Sequence, residues 1–353
     1  MFNGIDIFFK GDLSVYQDKK IGLVINHTSI SKDGESLFDL SKSSLDVVGI
    51  FTPEHGLFGK NEAGEVVNSD EVDGIPVHSL YGKNKRPSSD QLKGIDVLLF
   101  DMQDIGSRYY TYISTLTYVM ESAAENNIEL IVLDRANPIG DTIQGPLLSD
   151  EFESFVGMHP VPIRHGLTIG EFAVLIKQMG WIENAGNLNL DVIKIEGWSG
   201  GYTELQLSPS PNIPNLETAV IYNGLCLLEG TNLSEGRGTD NPFKLFGAPW
   251  LDTEKIIEII NSQHLDGVIL DTVSFTPISI PGKSAFPKYK DTRCNGILIH
   301  ITNRNTFFPF SKGTYWRPRN PQSAATSSSK TSALFGAVRR ASSGSTHPHE
   351  TLF

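Results

Sequence analysis

Four short apolar runs punctuate the first 135 residues, at 21–25, 47–51, 97–100 and 130–133. They are rich in Val, Ile, Leu and Phe and show no polar alternation, the pattern of strands buried on both faces of a parallel sheet. Between the last two, the stretch 109–127 places Ile113, Leu116, Val119, Met120 and Ala123 on one helical face. Strand, helix, strand in that order is a βαβ unit. The spacing therefore predicts an α/β first domain over 1–150, Rossmann-like in its parallel sheet.

Polar residues follow every one of these strands. Asn26-His27-Thr28 comes after the first, Thr52-Pro53-Glu54-His55 after the second, Asp101-Met102-Gln103-Asp104 after the third and Asp134-Arg135-Ala136-Asn137 after the fourth. Open parallel sheets bind ligands in the crevice beyond the carboxyl ends of their strands. Four successive strands thus discharge chemically competent side chains into one place.

A second region, expected over 151–310, is less regular. Thr168-Ile169-Gly170-Glu171 fits a capping box that opens a helix to about residue 180, which accounts for Glu171 as a cap. The proline-dense Ser208-Pro209-Ser210-Pro211-Asn212-Ile213-Pro214 suits a rigid loop. Helices are expected over 216–225 and 253–263 and a strand over 296–302, which makes this domain α/β or α+β. From 311 to 353 the chain turns serine-rich and loses apolar periodicity, so it is expected to be disordered. A native tail and a shifted or prematurely ended reading frame both fit so abrupt a change.

Composition narrows the functional classes. The 353 residues carry a formal charge of −12, which argues against a nucleic-acid partner, although local basic clusters can hold a small anion. No apolar run approaches the roughly 20 residues of a membrane helix, and the start lacks the features of a secretory leader. As written, the chain is expected to be cytoplasmic and to have no membrane partner. Cys226 and Cys294 have no metal-ligand spacing and read as small buried hydrophobes. No G-x-G-x-x-G follows the first strand and no G-x-S-x-G elbow occurs, so neither a dinucleotide nor a serine nucleophile is expected. No other cofactor is implied.

Carboxylate-driven acid/base chemistry remains. Glu54, pinned by Pro53 and released by Gly56 at a buried strand end, suits a general acid whose pKa burial raises. His55 either orients it or fills the strand end. Asp101 and Asp104 stand three apart without a histidine cluster, so no metal site is expected. Arg108, beside Tyr109 near a helix start, suits a ligand carboxylate or a structural pair with Asp101 or Asp104. Arg164-His165-Gly166 and Glu235-Gly236-Arg237-Gly238 read as walls of a cleft, their glycines allowing close approach to a ligand.

Four long motifs carry a family resemblance. Phe51-Thr52-Pro53-Glu54-His55-Gly56-Leu57-Phe58-Gly59 is similar to a signature of the exo-β-N-acetylmuramidases of glycoside hydrolase family 171, the NamZ type. So are Asp101-Met102-Gln103-Asp104-Ile105-Gly106-Ser107-Arg108-Tyr109-Tyr110, Pro162-Ile163-Arg164-His165-Gly166-Leu167-Thr168 and the run from Leu228 through Asn232 and Glu235 to Thr239. The likeness extends in order over about 21–310.

It implies a Rossmann-like domain, a second α/β domain and an active-site cleft between them. It also implies release of N-acetylmuramic acid (MurNAc) from the non-reducing end of MurNAc-GlcNAc saccharides derived from peptidoglycan, by cleavage of the β-1,4 bond. Members are often secreted.

The family's proposed catalytic glutamate falls on Glu54, with His55 and Asp101 beside it as catalytic candidates. Gln103, Asp104, Arg108, Tyr109, Arg164, His165, Glu235 and Arg237 are the candidate substrate-binding residues. The lactyl carboxylate of MurNAc calls for arginine, and Arg108, Arg164 and Arg237 are available. Glycosidases generally use two carboxyl groups, about 5 Å apart when retaining and about 6.5–9.5 Å when inverting. The second is Asp101, Asp104 or Glu235, or is replaced by the substrate's own N-acetyl group. Two other readings stay open: a non-catalytic binder of cell-wall fragments, and an α/β transferase using a nucleotide sugar. The sequence sets no oligomeric state.

Overall fold

The four expected strands form where the apolar runs place them, because a run with no polar side is stable only when both of its faces are covered. The computed structural model describes residues 1–54, 56–57, 71–82, 84–263 and 265–309. His55 and the serine-rich tail lie outside the described residues.

In chain order the first elements are α1 (Gly4–Phe8), β1 (Lys20–Ile25), α2 (Leu37–Lys42), β2 (Asp46–Thr52), β3 (Glu71–Val72), β4 (Ile75–Ser79), α3 (Ser89–Leu92), β5 (Val97–Asp101), α4 (Tyr112–Asn126) and β6 (Glu129–Leu133). There follow β7 (Gln144–Leu147), β8 (Pro162–Arg164), α5 (Ile169–Met179), β9 (Leu190–Ile193) and α6 (Leu216–Leu225). The last are β10 (Leu245–Ala248), α7 (Thr253–Asn261), β11 (Val268–Phe275) and β12 (Cys294–Ile301).

Two compact units divide the chain. The first comprises Met1–Ile143, Leu147–Ala219 and Pro281–Lys283. Its seven-stranded sheet has the order β3-β4-β2-β1-β5-β6-β9, and every pairing except β3 with β4 is parallel. The chain builds outward from β1 to β2 and β4, then returns to the other side of β1 for β5, β6 and β9. The reversal between β1 and β5 is the topological switch point, where such sheets bind their ligands. The first unit extends well past residue 150, the boundary expected from the sequence, because β9 pairs with β6 and so belongs to the same sheet.

Helix α4 buries all five of its expected apolar residues. It starts at Tyr112 rather than Tyr109 because the preceding segment is held by another partner: Ser107 bridges Arg164, and the Arg108 amide donates to the Ile163 carbonyl at 2.8 Å. Helix α5 opens on the expected capping box of Thr168 and Glu171 and closes on left-handed Gly180.

The second unit comprises Gln144–Pro146, Val220–Ile280 and the described residues from Ser284 on. Its antiparallel sheet has the order β10-β12-β11, and α7 turns buried Ile256 and Ile260 inward. The division falls inside α6, between Ala219 and Val220. The chain is thus a two-domain α/β protein, as the sequence implies.

Candidate active site

The residues after β1 and β5 are stitched together at the switch point. The Asn26 side-chain amide donates to Tyr112 Oη at 2.8 Å, while its Oδ1 accepts from the Thr28 amide and hydroxyl. Thr28 Oγ1 in turn accepts from the Gln103 backbone amide at 3.0 Å. Gln103 Nε2 donates to the carbonyls of Asp104 and Ala136, so its side chain ties the β5 loop to the β6 loop. Gln103 is half-buried and holds the loops in place through these bonds.

Asp101 has no exposed surface. Its carboxylate takes Arg135 in a two-pronged pair, from Nε to Oδ1 and from Nη2 to Oδ2 at 2.8 Å, and Arg135 also donates to the Ile30 carbonyl. Burial pushes the Asp101 carboxyl up and the guanidinium pulls it back. Asp101, expected among the catalytic candidates, is therefore enclosed and neutralised by a partner from the next strand end; its position joins β5 to the β6 loop.

Glu54 stands half-buried just beyond β2, where Thr111 Oγ1 donates a long hydrogen bond to Oε2 at 3.5 Å. Tyr112 lies within electrostatic reach of both Glu54 and Asp104. Burial above all, reinforced by these two carboxylates, pushes its phenol well up and keeps it protonated. The phenol donates to the Pro209 carbonyl at 3.0 Å, and its ring meets Tyr110 edge-on.

The pairing of 106–108 with β8 brings the second and third motifs together. Asp104 Oδ2 accepts from the Gly106 amide at 2.6 Å and lies 3.4 Å from His165 Nε2. Gly106 has φ +75°, a conformation that favours glycine, and a Cβ there would run into the Asn137 amide. Asn137 donates to the Leu167 carbonyl, and the Leu167 amide donates to His165 Nδ1 at 3.2 Å. Because Nδ1 accepts, the His165 proton sits on Nε2, the nitrogen beside Asp104.

Arg108 and Arg164 are buried close to this pairing. Arg108 Nη1 donates to the Val161 carbonyl at 2.5 Å and its guanidinium lies over half-buried Tyr109, 5.5 Å from the ring centre. Arg164 donates to the Ile139 carbonyl and lies over Tyr202. Burial lowers both guanidinium pKa values. Among the described residues Arg164 has no carboxylate at ion-pair distance.

Glu235 and Arg237 are brought together in the second unit, with Glu229 and Lys288. Arg237 pairs with Glu229 and approaches Glu235 at 3.6 Å, while Lys288 lies 3.2 Å from Glu235 and donates to the carbonyls of Leu228, Glu229 and Leu233. Lys288 was not legible in the sequence because nothing in the spacing links it to the motif some 50 residues earlier.

Asp134 was likewise visible only as a strand-end polar residue. It caps α5, accepting from the Gly170 amide at 2.8 Å and Thr168 Oγ1 at 2.9 Å, and burial raises its pKa to about 6. Among the described residues no three His, Cys, Asp or Glu side chains gather as a metal site, and no helix is long and apolar enough to cross a membrane.

Fold and site together define an α/β protein with a carboxylate-centred polar site at the switch point of a parallel sheet. The family model described as exo-beta-N-acetylmuramidase NamZ, N-terminal, matches residues 21–217, and the C-terminal model matches 220–316. A Bacillus subtilis (strain 168) protein named peptidoglycan beta-N-acetylmuramidase NamZ is 41% identical over 314 residues, which cover 86% of this chain and 73% of that one. Two crystal structures of DUF1343 family proteins from Bacteroides fragilis NCTC 9343 are also similar. One has a TM-score of 0.78 and 34% identity, covering 87% of this chain and 79% of its own. The other has a TM-score of 0.70 and 32% identity, covering 84% and 76%. The chain belongs to the exo-β-N-acetylmuramidase NamZ family.

Proposed function

We propose that this chain is a glycoside hydrolase that releases MurNAc from the non-reducing end of peptidoglycan-derived MurNAc-GlcNAc saccharides, with Glu54 as the general acid. The observation that carries the assignment of Glu54 is its setting: a half-buried carboxyl at the end of a sheet strand. Asp101 pairs with Arg135, Glu171 caps α5, and Glu235 faces Lys288 and Arg237. The protonated carboxyl of Glu54 donates its proton to the glycosidic oxygen as the C1–O bond breaks, and the resulting carboxylate then takes a proton from the attacking water. Arg108 and Arg164, buried in positively charged form beside the same loops, are suited to the lactyl carboxylate. The Bacillus subtilis relative named peptidoglycan beta-N-acetylmuramidase supports the substrate class.

The test is incubation with the disaccharide MurNAc-GlcNAc, followed by chromatography of the products. Appearance of MurNAc and GlcNAc in equal amounts supports the reading; intact disaccharide bound to the protein turns it into a cell-wall-fragment binder.

A further inference from the structure

Helix α4 begins beside Glu54. Thr111 stands at its N-cap position, where a threonine hydroxyl ordinarily accepts from an amide of the first helical turn. Its backbone is helical (φ −74°, ψ −4°) rather than extended, and the side chain makes no capping bond. The hydroxyl donates instead to Glu54 Oε2 at 3.5 Å, so it serves the carboxyl and not the helix. Its place is fixed from both sides. The Thr111 carbonyl accepts from the Thr115 amide at 2.9 Å and from the Thr115 hydroxyl at 3.2 Å. The next residue, Tyr112, is buried and held between the Asn26 side-chain amide and the Pro209 carbonyl. Asn26 follows β1, which pairs directly with β2, the strand that delivers Glu54. Donor and acceptor are thus set by the same sheet end.

We propose that Thr111 is the positioning residue of the general acid: it fixes which oxygen of Glu54 carries the transferable proton and stabilises the carboxylate left behind. This rests on the muramidase reading above and deepens it. A hydroxyl that donates to Oε2 makes that oxygen the acceptor, so the acid proton sits on Oε1. Oε1 passes this proton to the glycosidic oxygen as the C1–O bond breaks and its electron pair stays on the departing oxygen. Negative charge then spreads over both oxygens of Glu54, and the bond from Thr111 strengthens as it builds. Water takes the electron-deficient C1, and the proton it loses returns to Oε1. The bond is long in the resting protein, and catalytic hydrogen bonds often tighten only in the transition state. Help of this kind matters most for a leaving group that needs a proton. GlcNAc is such a group, whereas 4-nitrophenolate departs without one.

The experiment compares kcat/KM, which reads the steps up to glycosidic cleavage, for the wild type, Thr111→Val and Thr111→Ser. The two substrates are MurNAc-GlcNAc and the 4-nitrophenyl β-glycoside of MurNAc. Valine keeps the branched shape and loses the hydroxyl. Thr111→Val is expected to lose about 3- to 10-fold on the disaccharide with KM kept, the range of one hydrogen bond, and under about 2-fold on the nitrophenyl glycoside. Thr111→Ala is expected to show the same split, and Thr111→Ser to recover the disaccharide rate. Equal losses on the two substrates make Thr111 merely structural and overturn the proposal. Full disaccharide activity in Thr111→Val, or no recovery in Thr111→Ser, overturns it as well. A wild type that cleaves neither substrate overturns the muramidase reading and the positioning role with it.

Discussion

Arg135 and Asp101 close on one another across the ends of β6 and β5, with Arg135 Nη2 2.8 Å from Asp101 Oδ2 and neither side chain in contact with solvent beyond a few per cent. Removing one member of such a buried pair strands the other charge, at a cost of about 3–5 kcal/mol. Asp101→Asn is therefore expected to lower the denaturant midpoint by that order, with activity per folded molecule largely kept. A variant of wild-type stability that has lost all turnover would instead make Asp101 a catalyst.

Gly106 and Ser107 are neighbours with opposite expectations. Gly106→Ala places a side chain at φ +75° and against Asn137, and should cost ~1–3 kcal/mol. Ser107→Ala removes a buried hydroxyl that has no partner among the described residues, so its melting temperature should match or exceed that of the wild type. Thermal melts of the two variants side by side check this.

Asp134 gives stability a pH dependence of known sign. Its folded pKa of about 6 lies above the ordinary 3.8, with burial as the main cause and Glu171 adding repulsion against the donors from Gly170, Thr168 and Arg135. Between those two values the folded chain holds a proton that the unfolded chain lacks, so this carboxyl's contribution falls as pH rises from about 4 to 6 and is level above. The window corresponds to about 3 kcal/mol at most. Asp134→Asn should gain on the wild type across that window in paired melts; a constant difference from pH 4 to 7 would contradict the assignment.

The parts of the fold legible in the sequence are those where one physical demand dominates. Strands β1, β2, β5 and β6 are apolar on both faces, and Thr168 with Glu171 announces α5 by local bonding alone. Strand β4 was hidden by Pro76, tolerated where its neighbour β3 is only two residues long. Strand β9 is a half-buried edge interrupted by Asp191, and β11 alternates in exposure without an apolar run.

Within the site, Glu54, Asp104 and His165 were legible as polar residues at strand ends and loops. That Asp101 is taken by Arg135, 34 residues on, was not, because pairing across a sheet end leaves no trace in spacing. Nor could the sequence show that Leu167 fixes the His165 proton, which depends on the conformation of one turn.

The role of Glu54 as general acid is read out by the rate of chromophore release from a 4-nitrophenyl β-glycoside of MurNAc by the wild type and by Glu54→Gln, with MurNAc-GlcNAc in parallel. The amide keeps the size and loses the transferable proton. Release by the wild type and a drop of ~10²–10⁴-fold in the variant are expected, the drop being largest on the disaccharide, whose poor leaving group most needs protonation. Unchanged turnover of the disaccharide by a folded Glu54→Gln protein would contradict that role.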